Sequence, residues 1–318
     1  MARKIIIDTD PGIDDSMAIF YALAAPELQV IGLTTVYGNC VVETGTKNAL
    51  RLLEIAERTD IPVAKGMGHP LTRPEGNIAA FVHGEDGQGN VNLPPPRTRA
   101  VDQHAVTWLI ETLMSAPTPI TLVPLGPLTN IAMALLLEPR IVNKIEEIVL
   151  MGGAAFVVGN ATATSEANIV NDPEAADIVF GADCPVTMIG LDVTEKVYAP
   201  AAHLDAIKNF NTPRASHLAR ILPFYRKFYQ QYYPQFTEDG IYVHDSTTIS
   251  YLLAPHLFKT VQYPIRVETQ GFSRGRTTPA IGFNATRDGW EKRRKVNIAV
   301  EVDVPAVLKL EWEVLSRA

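Results

Sequence analysis

Cysteine is nearly missing. The 318 residues hold two, Cys40 and Cys184, far apart and in no CxxC pair, which excludes a disulfide framework and a thiolate zinc site and points to a reducing compartment. Long apolar runs are missing too. No stretch approaches the ~20 residues needed to span a bilayer, and the N-terminal MARKIII offers only three consecutive apolar residues before Asp8, far short of a signal-peptide core. The expectation is a soluble, cytoplasmic protein. Positive charge is also in short supply: 28 Lys and Arg against 35 Asp and Glu leave a formal net charge of -7, so no global field draws in nucleic acid or an anionic membrane. The basic cluster Lys292, Arg293, Arg294 and Lys295 is short, lies among polar residues and reads as a solvated loop. A small neutral substrate is compatible with this balance.

What is present is an ordinary globular composition, 47% hydrophobic and 20% charged, enough for one large core. Short β-branched runs alternate with longer helical patterns. KIIIDT, QVIGLTTV, IPVAKG, ITLVPLG, EEIVLMGG and PVTMIGL read as strands buried on both faces. Between them SMAIFYALAA, TGTKNALRLLEIAER, HAVTWLIETLMSA, LTNIAMALLLE and DPEAADIVFGA carry helical periodicity. This rhythm predicts an α/β fold with an open, mostly parallel, Rossmann-like sheet flanked by helices. After Asp192 the pattern becomes mainly helical, with strand-like VQYPIRVET and VNIAVEVD, and reads as a helical C-terminal appendage on a single domain spanning residues 1–318. Gly76 to Pro96 is the one long loop of the first half, a lid or an insertion.

Ligands of such sheets bind beyond the carboxyl ends of the strands, and three polar clusters belong there. The first is IIIDTDPGIDD, where Asp8, Asp10, Asp14 and Asp15 crowd the end of the first strand. Pro11 suits the first turn of the next helix, with Asp10 as its N-cap and Asp14 and Asp15 in the first turn. The helix dipole contributes only about 0.3–1 kcal/mol per charge, too little to hold so many carboxylates together, whereas a divalent cation with hard oxygen ligands can. An EF-hand is excluded by Gly12 and Ile19, which stand where that loop needs an acid and a Glu. The second cluster is GNATATSEANIVNDPEAAD, with Asn160, Glu166 and Asn168 suited to sugar hydroxyls or to turns and caps. The third is VHDSTT, with His244 and Asp245 at a helix start.

Together DTDPGIDDSMAI, LVPLGPLTNIA, MGGA with the second cluster, and the late HDS resemble the inosine-uridine-preferring nucleoside hydrolase family, in order and over nearly the whole chain. The resemblance implies a Ca2+ ion held by Asp10, Asp15, Asp245 and a main-chain carbonyl, Leu125 or Val123. It implies a ribonucleoside substrate with Asp14 on the 2'-hydroxyl, Asn168 on the diol, Asn160 and Glu166 on the 5'-hydroxyl, Asn39 on the ribose, Asp245 beside it and His83 near the base. Asp8 resembles a support behind the ligands. Ala167 departs from relatives that often carry an aromatic residue there. A homodimer or homotetramer is implied as well.

The implied chemistry is hydrolysis of an N-glycosidic bond through a cationic ribose, with Asp10 taking the water's proton and His244 protonating the leaving base. Two other classes compete: a magnesium phosphatase of the haloacid dehalogenase type, which would need cationic groups near Asp8, and a non-catalytic ribose-binding protein. Tyr225, Phe228, Tyr229, Tyr232 and Tyr233 stand at helical spacing, suited equally to stacking on a base and to core packing.

Overall fold

The computed structural model describes residues 2–233 and 239–317. The first half alternates as expected: β1 (Arg3–Thr9), α1 (Ile13–Ala24), β2 (Leu28–Thr35), α2 (Val42–Ile55), β3 (Val63–Lys65), α3 (Ala80–His83), α4 (Ala105–Ser115), β4 (Ile120–Pro124), α5 (Thr129–Leu137) and β5 (Ile145–Met151). There follow α6 (Ala167–Asn171), α7 (Pro173–Phe180), β6 (Val186–Ile189), α8 (Leu191–Thr194), β7 (Tyr198–Pro200), α9 (Ala201–Ile207), α10 (Pro213–Tyr232), β8 (Gly240–Tyr242) and α11 (His244–Leu253). The chain ends with β9 (Phe258–Tyr263), β10 (Ile265–Val267), β11 (Thr277–Pro279), β12 (Val296–Val302) and α12 (Val304–Leu315).

Eight strands form the central sheet in the order β3-β2-β1-β4-β5-β6-β12-β9. All neighbours are parallel except β12 with the edge strand β9. Alternate side chains supply opposite faces: Ile5 and Ile7 join the core under α1, α10 and α11, while Ile6 joins the core under α4, α5 and α7. Burial on both faces is why these strands read as continuous apolar runs. The direction of winding reverses between β1 and β4, and the crevice at their carboxyl ends is where such sheets bind ligands.

Two local expectations are corrected. Asp10 does not cap α1. Gly12 is its N-cap residue, and the Asp15 carboxylate accepts the Gly12 N–H at 2.9 Å, so the cap comes from inside the helix and Asp10 is free to face the cleft. VQYPIRVET is not one strand. Pro264 has no N–H for a ladder, and the chain leaves the sheet there, β10 pairing with β11 instead. The C-terminal region is mainly helical as expected, and the strand-like VNIAVEVD forms β12, which with β9 completes the central sheet. The long loop contains the single turn α3, and the basic cluster stays largely exposed, with Arg293 and Arg294 paired to Asp177 and Asp183.

Candidate active site

A cavity of about 740 Å³ opens at the carboxyl ends of β1, β4 and β5 and is lined by Asp10, Asp14, Asn39, His83, Leu125, Asn160, Glu166, Asn168, His244 and Asp245. Asp10 leaves β1 between two glycines. A Cβ at Gly38 would overlap one Asp10 oxygen and a Cβ at Gly126 the other, so only glycines let both neighbouring loops close around this carboxylate. Its Oδ2 accepts the Asn39 N–H at 2.6 Å, and its Oδ1 is buried without a partner. Asp15, in the first turn of α1, is fully engaged: Thr9 Oγ1 donates to Oδ1, while Gly12 N–H and, at 2.8 Å, Asn39 Nδ2 donate to Oδ2.

Asp14, Asp15 and Asp245 bring carboxylate oxygens within 4.8 Å of one another. The one such triad among the described residues therefore includes Asp14, which the resemblance placed on the ribose, and not Asp10. Burial raises all four proton affinities. Asp14 and Asp15 are pushed up to about 6, and Asp10 and Asp245 well above the carboxylate range, with the neighbouring carboxylates adding to the burial effect for Asp10, Asp15 and Asp245. Among the described residues no lysine or arginine lines the cavity. Uncompensated carboxylates around an unpartnered buried oxygen are a donor set that fits a hard divalent cation. Leu125 lines the cavity, whereas Val123 sits inside β4 opposite Ile7 and does not. Asp8 lies behind the cleft, its Oδ1 accepting from Thr34 Oγ1 at 2.6 Å and Asn130 Nδ2 at 2.8 Å.

The second cluster folds back as α6. Glu166 is its N-cap, accepting from the Asn168 and Ile169 N–H groups and from Gly153 N–H. It lines the cavity while both its oxygens serve backbone donors. Asn168 donates to the Leu125 carbonyl at 2.7 Å and to the Met151 carbonyl at 3.2 Å, joining the ends of β4 and β5. Asn160 is exposed at the rim, where its Oδ1 accepts the Ala167 N–H.

The opposite wall comes from α10 and α11. His244 is held between Thr194 Oγ1, 2.8 Å from Nδ1, and the Tyr229 hydroxyl, 3.1 Å from Nε2. The Tyr229 hydroxyl lies 3.4 Å from that of Tyr225, which donates to Asp14 Oδ2 at 3.2 Å. A chain of hydrogen bonds thus runs from His244 to Asp14. Tyr225 and Tyr229 are buried in the core and also line the cavity, so both readings of the aromatic stripe apply to them; Tyr232 faces outward. His83 is buried, stacks on Tyr225 with ring centroids 5.4 Å apart, and accepts the Ile13 N–H at Nδ1. Burial lowers both His83 and His244 to about 4, so each ring is neutral at pH 7. The sequence missed Asn130 and Gln88, whose side chains serve loop backbone around the site; nothing in their local pattern distinguishes them from surface amides.

The model of the inosine-uridine preferring nucleoside hydrolase family matches residues 5–309. The chain belongs to this family. It is 44% identical to a probable uridine nucleosidase 2 of Arabidopsis thaliana, over 97% of this chain and 96% of that protein. Among solved structures, a plant nucleoside hydrolase, the PpNRh1 enzyme, superposes with a TM-score of 0.94 at 39% identity, covering 99% of each chain. A purine-preferring ribonucleoside hydrolase from Gardnerella vaginalis gives 0.92 at 36% identity, covering 99% of this chain and 98% of that one. As a nucleoside hydrolase, the protein is an N-ribosyl hydrolase. The phosphatase alternative lapses with the family, and independently because no cationic side chain among the described residues lines the cleft to meet a phosphate.

Proposed function

We propose that this nucleoside hydrolase is calcium-dependent and cleaves ribonucleosides to ribose and a free base. The observation that carries the reading is the convergence of the buried Asp14, Asp15 and Asp245 beside Asp10, which has one unpartnered oxygen, with no cation on the cavity wall among the described residues. Asp10, Asp15, Asp245 and the Leu125 carbonyl would hold the ion, and the chemistry calcium supplies when bound is polarisation of a water and of the ribose hydroxyls.

The protein's own groups do the rest. Asp14 accepts from the 2'-hydroxyl, Asn168 and Asn39 orient the diol, and Asn160 with Glu166 takes the 5'-hydroxyl. Asp10 accepts the proton of the attacking water, a task suited by its raised proton affinity. As the glycosidic bond breaks, positive charge grows on the ribose, and the surrounding carboxylates stabilise it. His244, seated between Thr194 and Tyr229, is the donor to the leaving base. Burial keeps its resting ring neutral, so the proton it passes to the base is one it takes up along the Tyr229–Tyr225–Asp14 chain of hydrogen bonds. His83 borders the base side of the cavity. We propose further that the chain works as a single domain in the cytoplasm, as a homodimer or homotetramer.

The test is ribose release from inosine and from uridine in chelator, then after adding calcium or magnesium. Activity restored by calcium is the expected result. Full activity in chelator would remove the metal from the reading, and no cleavage of either nucleoside with calcium would remove the reading itself.

A further inference from the structure

The Gly12–Ile13 peptide unit sits in the middle of the carboxylate cluster, two residues after Asp10 and immediately before Asp14 and Asp15. Two side chains of one loop grip it from both ends. His83 Nδ1 accepts the Ile13 N–H at 3.1 Å, and Gln88 Nε2 donates to the Gly12 carbonyl at 3.0 Å and to the Pro11 carbonyl at 3.3 Å. Gln88 is 2% exposed although it belongs to a connecting loop, an unusual place for an amide unless its hydrogen bonds are satisfied. They are: the Ser16 hydroxyl lies 3.0 Å from Nε2, and His217 Nε2 on α10 lies 2.8 Å from Oε1. His217, held neutral by burial, donates there, and this contact orients the amide so that its NH2 meets the two carbonyls.

The loop is built to deliver this side chain. The Asp86 carboxylate accepts the N–H groups of Gln88, Asn90 and Asn92 at 2.7–2.8 Å. Gly87 has φ +70°, and a Cβ there would meet Asn48 Nδ2 at 2.9 Å and the Pro11 carbonyl oxygen at 3.2 Å, so glycine permits the close approach.

We propose that Gln88 is a positioning residue of the active site: with His83 it clamps the Gly12–Ile13 peptide and so sets the geometry of the carboxylates on either side. The segment from His83 to Gln88 is then a brace between α10 and the acid cluster. Four mutually repelling carboxylates have no intrinsic reason to converge, and a backbone gripped at both its donor and its acceptor keeps them aimed at one point. The proposal rests on the metal reading above for its functional consequence, but the clamp itself is independent of it.

Gln88→Met keeps length and volume and removes the donors. The expected results are a calcium dissociation constant raised about 10–100-fold by titration calorimetry, a comparable fall in kcat with little change in KM, and amide exchange in residues 11–15 of the metal-free protein faster by about tenfold or more. Thr46→Val, which removes the buried Thr35–Thr46 hydrogen bond, controls for general loosening and should change none of these. If Gln88→Met does not fold, Gln88→Glu, which retains the acceptor for His217, is read the same way. Unchanged calcium affinity and unchanged exchange would overturn the proposal, as would equal losses in Thr46→Val. If the parental protein binds no calcium, the metal reading fails, and the exchange measurement still decides the clamp.

Discussion

Replacing Asp8 by Asn should stabilise the metal-free protein, and more so as the pH rises. Asp8 is 1% exposed, its Oδ2 has no hydrogen-bond partner, and burial pushes its carboxyl from 3.8 up to about 7 despite the bonds from Thr34 and Asn130. Between these two values the folded protein holds a proton that the unfolded chain has lost, so stability falls as the pH rises through the window and levels off above it. A shift of about 3 units at 1.36 kcal/mol each is about 4 kcal/mol lost by pH 8. Asn cannot ionise, and its carbonyl can still accept from Thr34 and Asn130. Its amide, placed where Oδ2 was, adds an offset of about 1–3 kcal/mol in the opposite direction that does not depend on pH. The diagnostic is therefore the slope. From urea denaturation in chelator, the stability of Asp8→Asn relative to the parent should grow by roughly 2.5 kcal/mol between about pH 5 and pH 8. A difference that is flat in pH, or that shrinks as the pH rises, would show that Asp8 does not titrate in this window and would refute the reasoning.

Asp10→Ala should lower kcat by about 10²–10⁴ as expected for loss of a general base, and Asp245→Ala should abolish calcium binding in calorimetry; full turnover by either variant would contradict the assignment. Deoxyuridine should be a worse substrate than uridine by on the order of 10⁴ in kcat/KM, because a site built to bond a hydroxyl leaves its own groups unpaired when that hydroxyl is missing; equal values would remove Asp14 from the 2'-position. His244→Ala should depress cleavage of inosine and uridine while sparing 4-nitrophenyl riboside, whose leaving group departs unprotonated. Loss of both activities would instead mean that the change disturbed the neighbouring Asp245. Tyr229→Phe removes the hydroxyl beside His244 Nε2 and should show the same selectivity in weaker form.

Much of the framework was legible because it rests on local pattern. The apolar strand ending in DTDPGIDD, the alternation of buried runs with helical periods, and the oxygen-only donors between Asp10 and Asp15 are properties of short windows of chain, and each appears where expected. The convergence of Asp245 on that cluster, over two hundred residues downstream, was legible only through the resemblance of the whole set of motifs to a family.

Other features were invisible for physical reasons. The helix start at Gly12 depends on Asp15 reaching back to an N–H, a choice between two equally plausible carboxylates. The break at Pro264 depends on which strand can use a neighbour's donors. The roles of Tyr225 and Tyr229 depend on which face of α10 meets Asp14 and His244. Sequence by itself determined the sheet, the position of the acid-rich turn at the carboxyl end of its first strand and the oxygen-only donors that turn offers, since these follow from hydrophobic period, covalent proximity and side-chain chemistry. Only the tertiary structure decided which carboxylates meet, which histidines are neutral and that an amide in a distant loop holds the Gly12–Ile13 peptide, because burial and long-range hydrogen bonds exist only once the chain has closed around the site.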